Sequence, residues 1–180
     1  MSGSRVIVLV GLMGTGKSTV ARILAERTDT TVADTDRMVE AAAGRTVREI
    51  FEESGEEAFR DAETAALAGA LDGGAGVVAV AGGAVTRERN RAMLLESRRN
   101  GRSVVVWLRA QPEVLAERTA HGRHRPLLDG DALGNLARLS AERREWYAEV
   151  SDHVVDTDGR SLDEVATEVL AVARDGKAAR

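Results

Sequence analysis

Short apolar runs alternate along the chain with longer segments in which alanine, glutamate and arginine recur. The apolar runs are rich in valine and predict β-strands over residues 6–10, 31–33, 77–80, 104–108 and 153–155. The segments between them predict helices over residues 18–26, 47–70, 87–98, 113–119, 133–150 and 162–174. Continuous apolar strands separated by helices are typical of a sheet buried on both faces, so the pattern predicts an α/β fold with five parallel strands.

Length and composition narrow the class of protein. With 180 residues, 43% of them hydrophobic, we expect a single domain over residues 1–180 with its own core. Charged residues balance to a net charge of −4, which gives no indication of a nucleic-acid or membrane partner. The absence of cysteine excludes disulfides and thiolate metal sites. No apolar stretch suits a signal peptide or a membrane span, so we expect a cytoplasmic protein, and a monomer.

The segment GLMGTGKS, residues 11–18, follows the first predicted strand and precedes the first predicted helix. It matches G-x-x-x-x-G-K-[ST], in which glycines let backbone N–H groups converge on phosphate oxygens at a helix N-terminus. Lys17 would neutralise the β- and γ-phosphates of a nucleotide, and the Ser18 hydroxyl would bind Mg²⁺. Lysine occurs only at positions 17 and 177, so the compact ammonium stands where a phosphate loop needs one. The predicted phosphate site comprises Gly14, Thr15, Gly16, Lys17, Ser18 and Thr19.

Two carboxylates follow the second predicted strand, in the segment VADTD. In an extended chain Asp34 and Asp36 would point the same way, toward the carboxyl edge of the sheet, where ligands bind in such folds. One would then bind hydrated Mg²⁺ and the other an acceptor hydroxyl. The structural alternative is an acidic turn that caps the following helix, and these two residues alone favour it. A guanine-reading N-K-x-D segment is excluded, because neither lysine lies in one.

Four motifs occur in order around and after these carboxylates: D-T-D, G-E-x-x-F-R-x-x-E, a glycine pair before A-V-T, and R-P-L-L. In this combination and spacing, from about residue 6 to residue 170, the chain resembles shikimate kinase. The resemblance implies a P-loop fold like that of nucleoside monophosphate kinases, with a substrate-binding region over residues 36–63 and a mobile lid over residues 120–131. It also implies ATP-dependent phosphorylation of the 3-hydroxyl of shikimate, giving shikimate 3-phosphate and ADP on the route to chorismate and the aromatic amino acids.

The resemblance assigns roles on the acceptor side. Asp36 matches the aspartate that binds the acceptor hydroxyl, and Asp34 matches the one near Mg²⁺, which it contacts through water. Arg60 and Arg143 match the pair that holds the shikimate carboxylate, a task that suits the bidentate guanidinium. Glu63, three residues after Arg60 on a predicted helix, is expected to brace it. The catalytic residues expected on this basis are Lys17, Asp36 and Arg125.

Glycines and phenylalanines near the acceptor are assigned in the same way. Gly82 and Gly83 match glycines whose backbone approaches the substrate closely, where a β-carbon would obstruct. Ala81 stands where the family commonly has a third glycine, and we expect it at the strand end with an ordinary φ. Phe51 and Phe59, the only phenylalanines, are core candidates that the resemblance places against the substrate ring.

Three arginines are assigned to the nucleotide. Arg125 matches the lid arginine that reaches the ATP phosphates, Arg118 a residue beside adenine, and Arg160 a weaker nucleotide contact. Residues 120–130 show no helical or strand period, and their basic side chains would gain phosphate partners only on closing over ATP. We expect amide hydrogen exchange there to slow strongly when an ATP analogue and shikimate are both bound. Exchange that is already slow in the free protein, or stays fast in the ternary complex, would exclude a mobile lid.

Three functions remain open on the sequence. They are a shikimate kinase, another small-molecule kinase of this architecture acting on gluconate or a shikimate relative such as quinate, and a nucleotide-binding regulator without activity. A regulator needs no acceptor site, so Asp36, Arg60 and Arg143 argue against it. The arginine pair favours an acidic cyclitol over a nucleotide or a neutral sugar. ATP and shikimate are therefore the expected substrates, and Mg²⁺ the expected cofactor.

Overall fold

The computed structural model describes residues 5–120 and 130–175, and its strands and helices agree closely with the prediction. The strands are β1 (Val6–Val10), β2 (Val32–Asp34), β3 (Val77–Ala79), β4 (Ser103–Arg109) and β5 (His153–Asp156). The helices are α1 (Lys17–Thr28), α2 (Thr35–Ala43), α3 (Val47–Asp72), α4 (Glu88–Arg99), α5 (Pro112–Thr119), α6 (Ala132–Val150) and α7 (Leu162–Asp175), with a 3-10 helix at Ala84–Thr86. Most of the predicted lid, including Arg125, lies outside the described residues.

All five strands are parallel, in the order β2-β3-β1-β4-β5, so the predicted parallel sheet is confirmed. Successive side chains of a strand point to opposite faces of the sheet, so the central strand β1 contributes side chains to two cores. Val8 and Val10 face a core formed with helices α3, α4 and α6, whereas Ile7 and Leu9 face a second core formed with α1 and α7. Within residues 5–120 and 130–175, none of the helices combines the length and apolarity needed to cross a bilayer.

Helix α2 is not among the helices predicted from the hydrophobic pattern, but the alternative of an acidic turn that caps a following helix is confirmed for Asp34. The Asp34 side chain accepts a hydrogen bond from the Arg37 N–H at 3.4 Å and is the N-cap of α2. The helix begins at Thr35, which places Asp36 in its first turn. The prediction that both aspartates project from an extended chain is therefore wrong, because a helix rotates each successive residue by about 100°. The cap at Asp34 and the left-handed Gly44, φ 63°, are the local signals that bracket this helix.

Helix α3 carries the second motif and is interrupted inside it. Gly55 has φ 81° and ψ 172°, a conformation that breaks the helix into a short first segment and a longer second one. Arg60 and Glu63 lie in the second segment. Phe59 is 5% exposed and packs in a small core with Val39 of α2, so it is a core residue that joins these two helices.

Candidate active site

The loop between β1 and α1 is packed tightly against the carboxyl end of the sheet. Gly11 has φ 141°, and a β-carbon there would clash with the carbonyl oxygen of Leu108 in β4. Gly16, φ 89°, is the N-cap of α1, and a β-carbon there would lie 2.7 Å from Leu162 Cδ2. Glycine is therefore required at both positions. The predicted placement of the loop between a strand and a helix N-terminus, where backbone N–H groups can bind phosphate, is confirmed.

The Lys17 ammonium lies against this loop. Its Nζ donates hydrogen bonds to the carbonyl oxygens of Gly11 at 2.8 Å and Leu12 at 2.9 Å. The buried Thr15 hydroxyl donates to the same Leu12 carbonyl at 2.8 Å, which fixes the loop further. These bonds hold the Lys17 ammonium against the loop.

The two residues predicted to hold Mg²⁺ lie side by side. The Ser18 hydroxyl donates to Asp34 Oδ2 at 2.6 Å, and both side chains line a cavity of about 410 Å³ between α1 and α2. A hydroxyl and a carboxylate are oxygen ligands of the kind that Mg²⁺ prefers when water and phosphate complete its shell. The described part of the chain contains no cluster of three or more histidine, cysteine, aspartate or glutamate side chains placed to hold a metal. The Ser18 hydroxyl and the Asp34 carboxylate are therefore residues that could hold Mg²⁺.

Arg60 is held on α3 by carboxylates one turn away on either side. Its Nη1 donates to Glu63 Oε2 at 2.6 Å and its Nη2 to Glu56 Oε1 at 3.3 Å, so the predicted brace by Glu63 is confirmed. Glu63 is 2% exposed, and burial raises the pKa of its carboxyl in spite of the opposing charge of Arg60. The guanidinium also lies over the Phe59 ring, 5.5 Å from its centroid. Arg60 is therefore fixed in direction.

Arg143 reaches the same region from α6. It is 4% exposed, and its Nη1 donates to the carbonyl oxygen of Gly82 at 3.0 Å. The hydroxyl of Tyr147, one turn further along α6, donates to the same carbonyl oxygen at 2.7 Å. Arg143 also lies near enough to Glu63 for its charge to oppose the rise in the pKa of that carboxyl caused by burial. Both predicted arginines therefore lie beside the same buried carboxylate, that of Glu63.

Gly82 and Gly83 connect the arginine pair with the phosphate loop. A β-carbon on Gly83 would clash with Nη1 of Arg60, so glycine at this position makes room for the guanidinium. A β-carbon on Gly82 would lie 3.2 Å from the carbonyl oxygen of Gly11 and 3.4 Å from the nitrogen of Met13. The dipeptide therefore lies between the arginines and the loop, and a close approach of its backbone to a substrate stays a prediction.

Ala81 has the ordinary backbone conformation that we expected. Among residues 5–120 and 130–175, Asp29 is the only non-glycine residue with a positive φ, at 52°. Ala81 is buried, and its N–H donates to the Thr35 hydroxyl at 2.8 Å. Alanine is therefore accommodated here without backbone strain.

Arg118 and Arg160 lie on the β5 side of the phosphate loop. Arg118 donates to the hydroxyl of Thr157 at 2.9 Å and to its carbonyl oxygen at 2.7 Å. Arg160 donates to the carbonyl oxygen of Asp156 at 3.1 Å and forms an ion pair with Glu168 of α7. Both guanidiniums are thus fixed near the end of β5, and their contact with a nucleotide stays a prediction.

Three buried polar side chains of this region are not predicted from the sequence: Thr35, Tyr147 and Thr157. Each satisfies a backbone or guanidinium group of the site. Tyr147 has a sequence signal, because it is the only tyrosine and lies four residues after Arg143, on the same face of a predicted helix. Thr35 also has a signal, because it is the central residue of the D-T-D motif at residues 34–36. Thr157 lies in none of the four motifs and has no such signal.

The sheet order and the phosphate loop after β1 are those of a P-loop phosphotransferase with the fold of nucleoside monophosphate kinases. A family model described as "Shikimate kinase" matches residues 13–174. The chain belongs to the shikimate kinase family, and the prediction that it is an enzyme is confirmed.

Individual relatives agree with the family match. A shikimate kinase from Symbiobacterium thermophilum is 50% identical over 167 residues, which cover 91% of this chain and 93% of the relative. The solved structure of shikimate kinase from Acinetobacter baumannii in complex with shikimate has a TM-score of 0.89 at 34% identity, covering 96% of this chain and 94% of that one. A gluconokinase from Sinorhizobium meliloti has a TM-score of 0.59 at 21% identity, covering 96% and 93%, which shows the shared fold alone.

Proposed function

We propose that the protein transfers the γ-phosphoryl group of ATP to the 3-hydroxyl of shikimate, giving shikimate 3-phosphate and ADP for the synthesis of chorismate and the aromatic amino acids. The observation that carries the proposal is the position of the Gly82–Gly83 dipeptide, which contacts the phosphate loop on one side and the arginine pair on the other. A phosphate donor and an acidic acceptor would therefore meet at the carboxyl end of β3.

On the donor side the chain supplies backbone donors and positive charge. The loop N–H groups and Lys17 would bind the β- and γ-phosphates, while Ser18, and Asp34 through water, would hold Mg²⁺. Mg²⁺, when bound, neutralises charge on the phosphate oxygens. Phosphoryl transfer passes through a loose transition state, so positioning and charge neutralisation matter more than removal of the acceptor proton. The further nucleotide contacts are proposed to come from Thr19, Arg118, Arg125 and Arg160.

On the acceptor side the guanidiniums of Arg60 and Arg143 would bind the shikimate carboxylate, each suited to two parallel hydrogen bonds. Asp36 lies near this pair: the pKa of Glu63, raised chiefly by burial, is raised further by the charge of Asp36. Asp36 would orient the 3-hydroxyl toward the γ-phosphorus. It would accept the hydroxyl proton as the new O–P bond forms and the bond to ADP breaks.

A coupled ADP-release assay with four acceptors tests the proposal. Shikimate, quinate, gluconate and nucleoside monophosphates are compared side by side with ATP and Mg²⁺. We expect shikimate to give the highest kcat/KM, because the arginine pair selects a carboxylate and Asp36 a ring hydroxyl. A higher kcat/KM for gluconate or quinate would assign the protein to the corresponding acceptor, and ADP release independent of any acceptor would exclude a kinase of these compounds.

The carboxylate role of Arg60 is tested by Arg60→Lys. The ammonium keeps the charge and loses the bidentate geometry, so the KM for shikimate should rise by about tenfold, with little change in the KM for ATP. Arg138→Lys is the control, because Arg138 lies on the exposed face of α6, paired with Glu142 at 2.8 Å, and both KM values should be unchanged. Equal losses for both substrates in Arg60→Lys would instead make this arginine a structural residue.

We also infer that the protein acts in the cytoplasm as a monomer. The support for the monomer is that the loop, the aspartates and both arginines proposed for the reaction come from one chain, so no second copy is needed to complete the site. The support for the cytoplasm is the proposed use of ATP, which is supplied there.

A further inference from the structure

The carbonyl oxygen of Gly82 accepts two hydrogen bonds, one from Arg143 and one from Tyr147, and Tyr147 has no role in the proposed reaction. Nη1 of Arg143 donates at 3.0 Å and the Tyr147 hydroxyl at 2.7 Å. A carbonyl oxygen has two lone pairs, so these two donors saturate it. Because the phenol occupies one of the two acceptor directions, the guanidinium of Arg143 is left with the other.

Tyr147 is itself fixed by the sheet. It is 1% exposed, and its ring stacks on Trp107 of β4 with centroids 5.5 Å apart and an interplanar angle of 27°. Trp107 lies opposite Val10, the last residue of β1 before the phosphate loop. Burial raises the pKa of the Tyr147 phenol well above its usual range, so the hydroxyl keeps its proton and can act as a donor. The donor is therefore held in place by its packing against the central part of the sheet.

We propose that Tyr147 is a positioning residue for the acceptor: its hydroxyl sets the direction of the Arg143 guanidinium and holds the Gly82 carbonyl, so that the carboxylate meets a correctly oriented arginine. Without the hydroxyl, the carbonyl loses one donor and the guanidinium can turn toward the vacated direction. The charge of the site is unchanged, so the guanidinium would still attract the carboxylate but would no longer be held in the correct orientation. This inference rests on the proposed function, because it takes a carboxylate-bearing acceptor as given.

A positioning role for Tyr147 can be told apart from a purely structural one, because it should change the KM for shikimate and not the KM for ATP. Arg143 belongs to the proposed acceptor side, whereas the loop holds Lys17 through the Gly11 and Leu12 carbonyls, and Tyr147 donates to a different carbonyl, that of Gly82. Loss of the Tyr147 hydroxyl should therefore weaken the binding of shikimate and leave the binding of ATP unchanged. A general loosening of the core would affect both substrates and the thermal stability together.

Tyr147→Phe tests the proposal, because it removes the hydroxyl and keeps the ring that stacks on Trp107. We expect the KM for shikimate to rise about five- to twentyfold, while kcat and the KM for ATP change by less than about twofold. Ser103→Ala is the matched control. It removes another buried hydroxyl, at the first residue of β4, which has no hydrogen-bond partner among residues 5–120 and 130–175, and it should leave both KM values unchanged. Thermal unfolding of each variant is measured alongside.

A double-mutant cycle tests whether Tyr147 acts through Arg143. In an Arg143→Ala background there is no guanidinium to orient, so adding Tyr147→Phe should change kcat/KM for shikimate by less than about twofold. An unchanged KM in Tyr147→Phe, parallel losses for both substrates, or a full additional loss in the Arg143→Ala background would each overturn the proposal. Wild-type turnover is measured in the same series: its absence with shikimate overturns the proposed function, whereas an active wild type with an unaffected variant overturns only the role of Tyr147.

Discussion

A Lys17→Met enzyme should fold normally and lose about two to four orders of magnitude in kcat, because it lacks charge stabilisation at the transferring phosphoryl group. Methionine has a similar length, and the substitution removes the ammonium together with its bonds to the Gly11 and Leu12 carbonyls. Lys17 is half-buried, and methionine keeps most of its apolar stem, so thermal unfolding should change little. Steady-state kinetics and a thermal melt measure the two effects separately.

The control for this experiment is Arg27→Met on the same helix. Arg27 lies near the far end of α1, where it pairs with Asp163 of α7 at 2.6 Å, away from the phosphate loop. Arg27→Met removes one positive charge from α1, as Lys17→Met does. An effect that depends on net charge alone would therefore appear in both variants. Turnover near the wild-type level in a folded Lys17→Met enzyme would exclude the loop from the chemistry.

The second large effect is expected from one added methyl group. Gly83 has φ −85° and ψ −16°, which alanine adopts readily, so Gly83→Ala should not strain the backbone. Its β-carbon would instead clash with Nη1 of Arg60, which Glu63 holds at 2.6 Å. The guanidinium must move, and a displacement of about 1 Å at a positioning group can cost about a hundredfold in kcat/KM for shikimate. The KM for ATP should change little.

Gly69→Ala on α3 is the matched glycine substitution. A β-carbon there would lie 3.6 Å from Met38 Cε, an ordinary contact, and the position is inside a helix. We expect kinetics like the wild type and a gain in the free energy of unfolding of about 0.5–1 kcal/mol, measured by urea denaturation. A Gly83→Ala enzyme that also behaved like the wild type would contradict the tight fit between Gly83 and Arg60.

The central strands β1, β3 and β4 could be predicted from the sequence because each is a short run of valine and other apolar residues buried on both faces. The edge strands β2 and β5 are less buried, and only their short β-branched runs indicate them. Helix α2 could not be predicted in this way, because it has only nine residues and follows β2 without an intervening loop. A helical period is read over about 11–18 residues, so a helix this short gives a weak signal in spite of its amphipathic face. The break in α3 was hidden for a different reason, since one glycine, Gly55, is a tolerated residue within a helical pattern.

The two halves of the site differ in how far the sequence predicts them. The phosphate loop is contiguous, so its residues, spacing and flanking elements are all visible in one segment. Arg60 and Arg143 come from two helices that are far apart in the sequence, and they are two of 23 arginines. Only the resemblance to a family therefore separates them from surface arginines. The hydroxyl of Tyr147 on Gly82 depends on how α6 packs against β3 and β4, which no local pattern determines.

Arg60 and Arg143 are held by Glu63 and by the Gly82 carbonyl through bonds within the protein itself. An arginine side chain gives up about 2 kcal/mol of rotamer entropy when it is immobilised. Here that entropy is lost when the chain folds rather than when the acceptor binds. An acceptor bound by this pair, as we propose, would meet a preformed site, and an acid whose carboxylate lies elsewhere relative to its ring would not move the two guanidiniums to fit it.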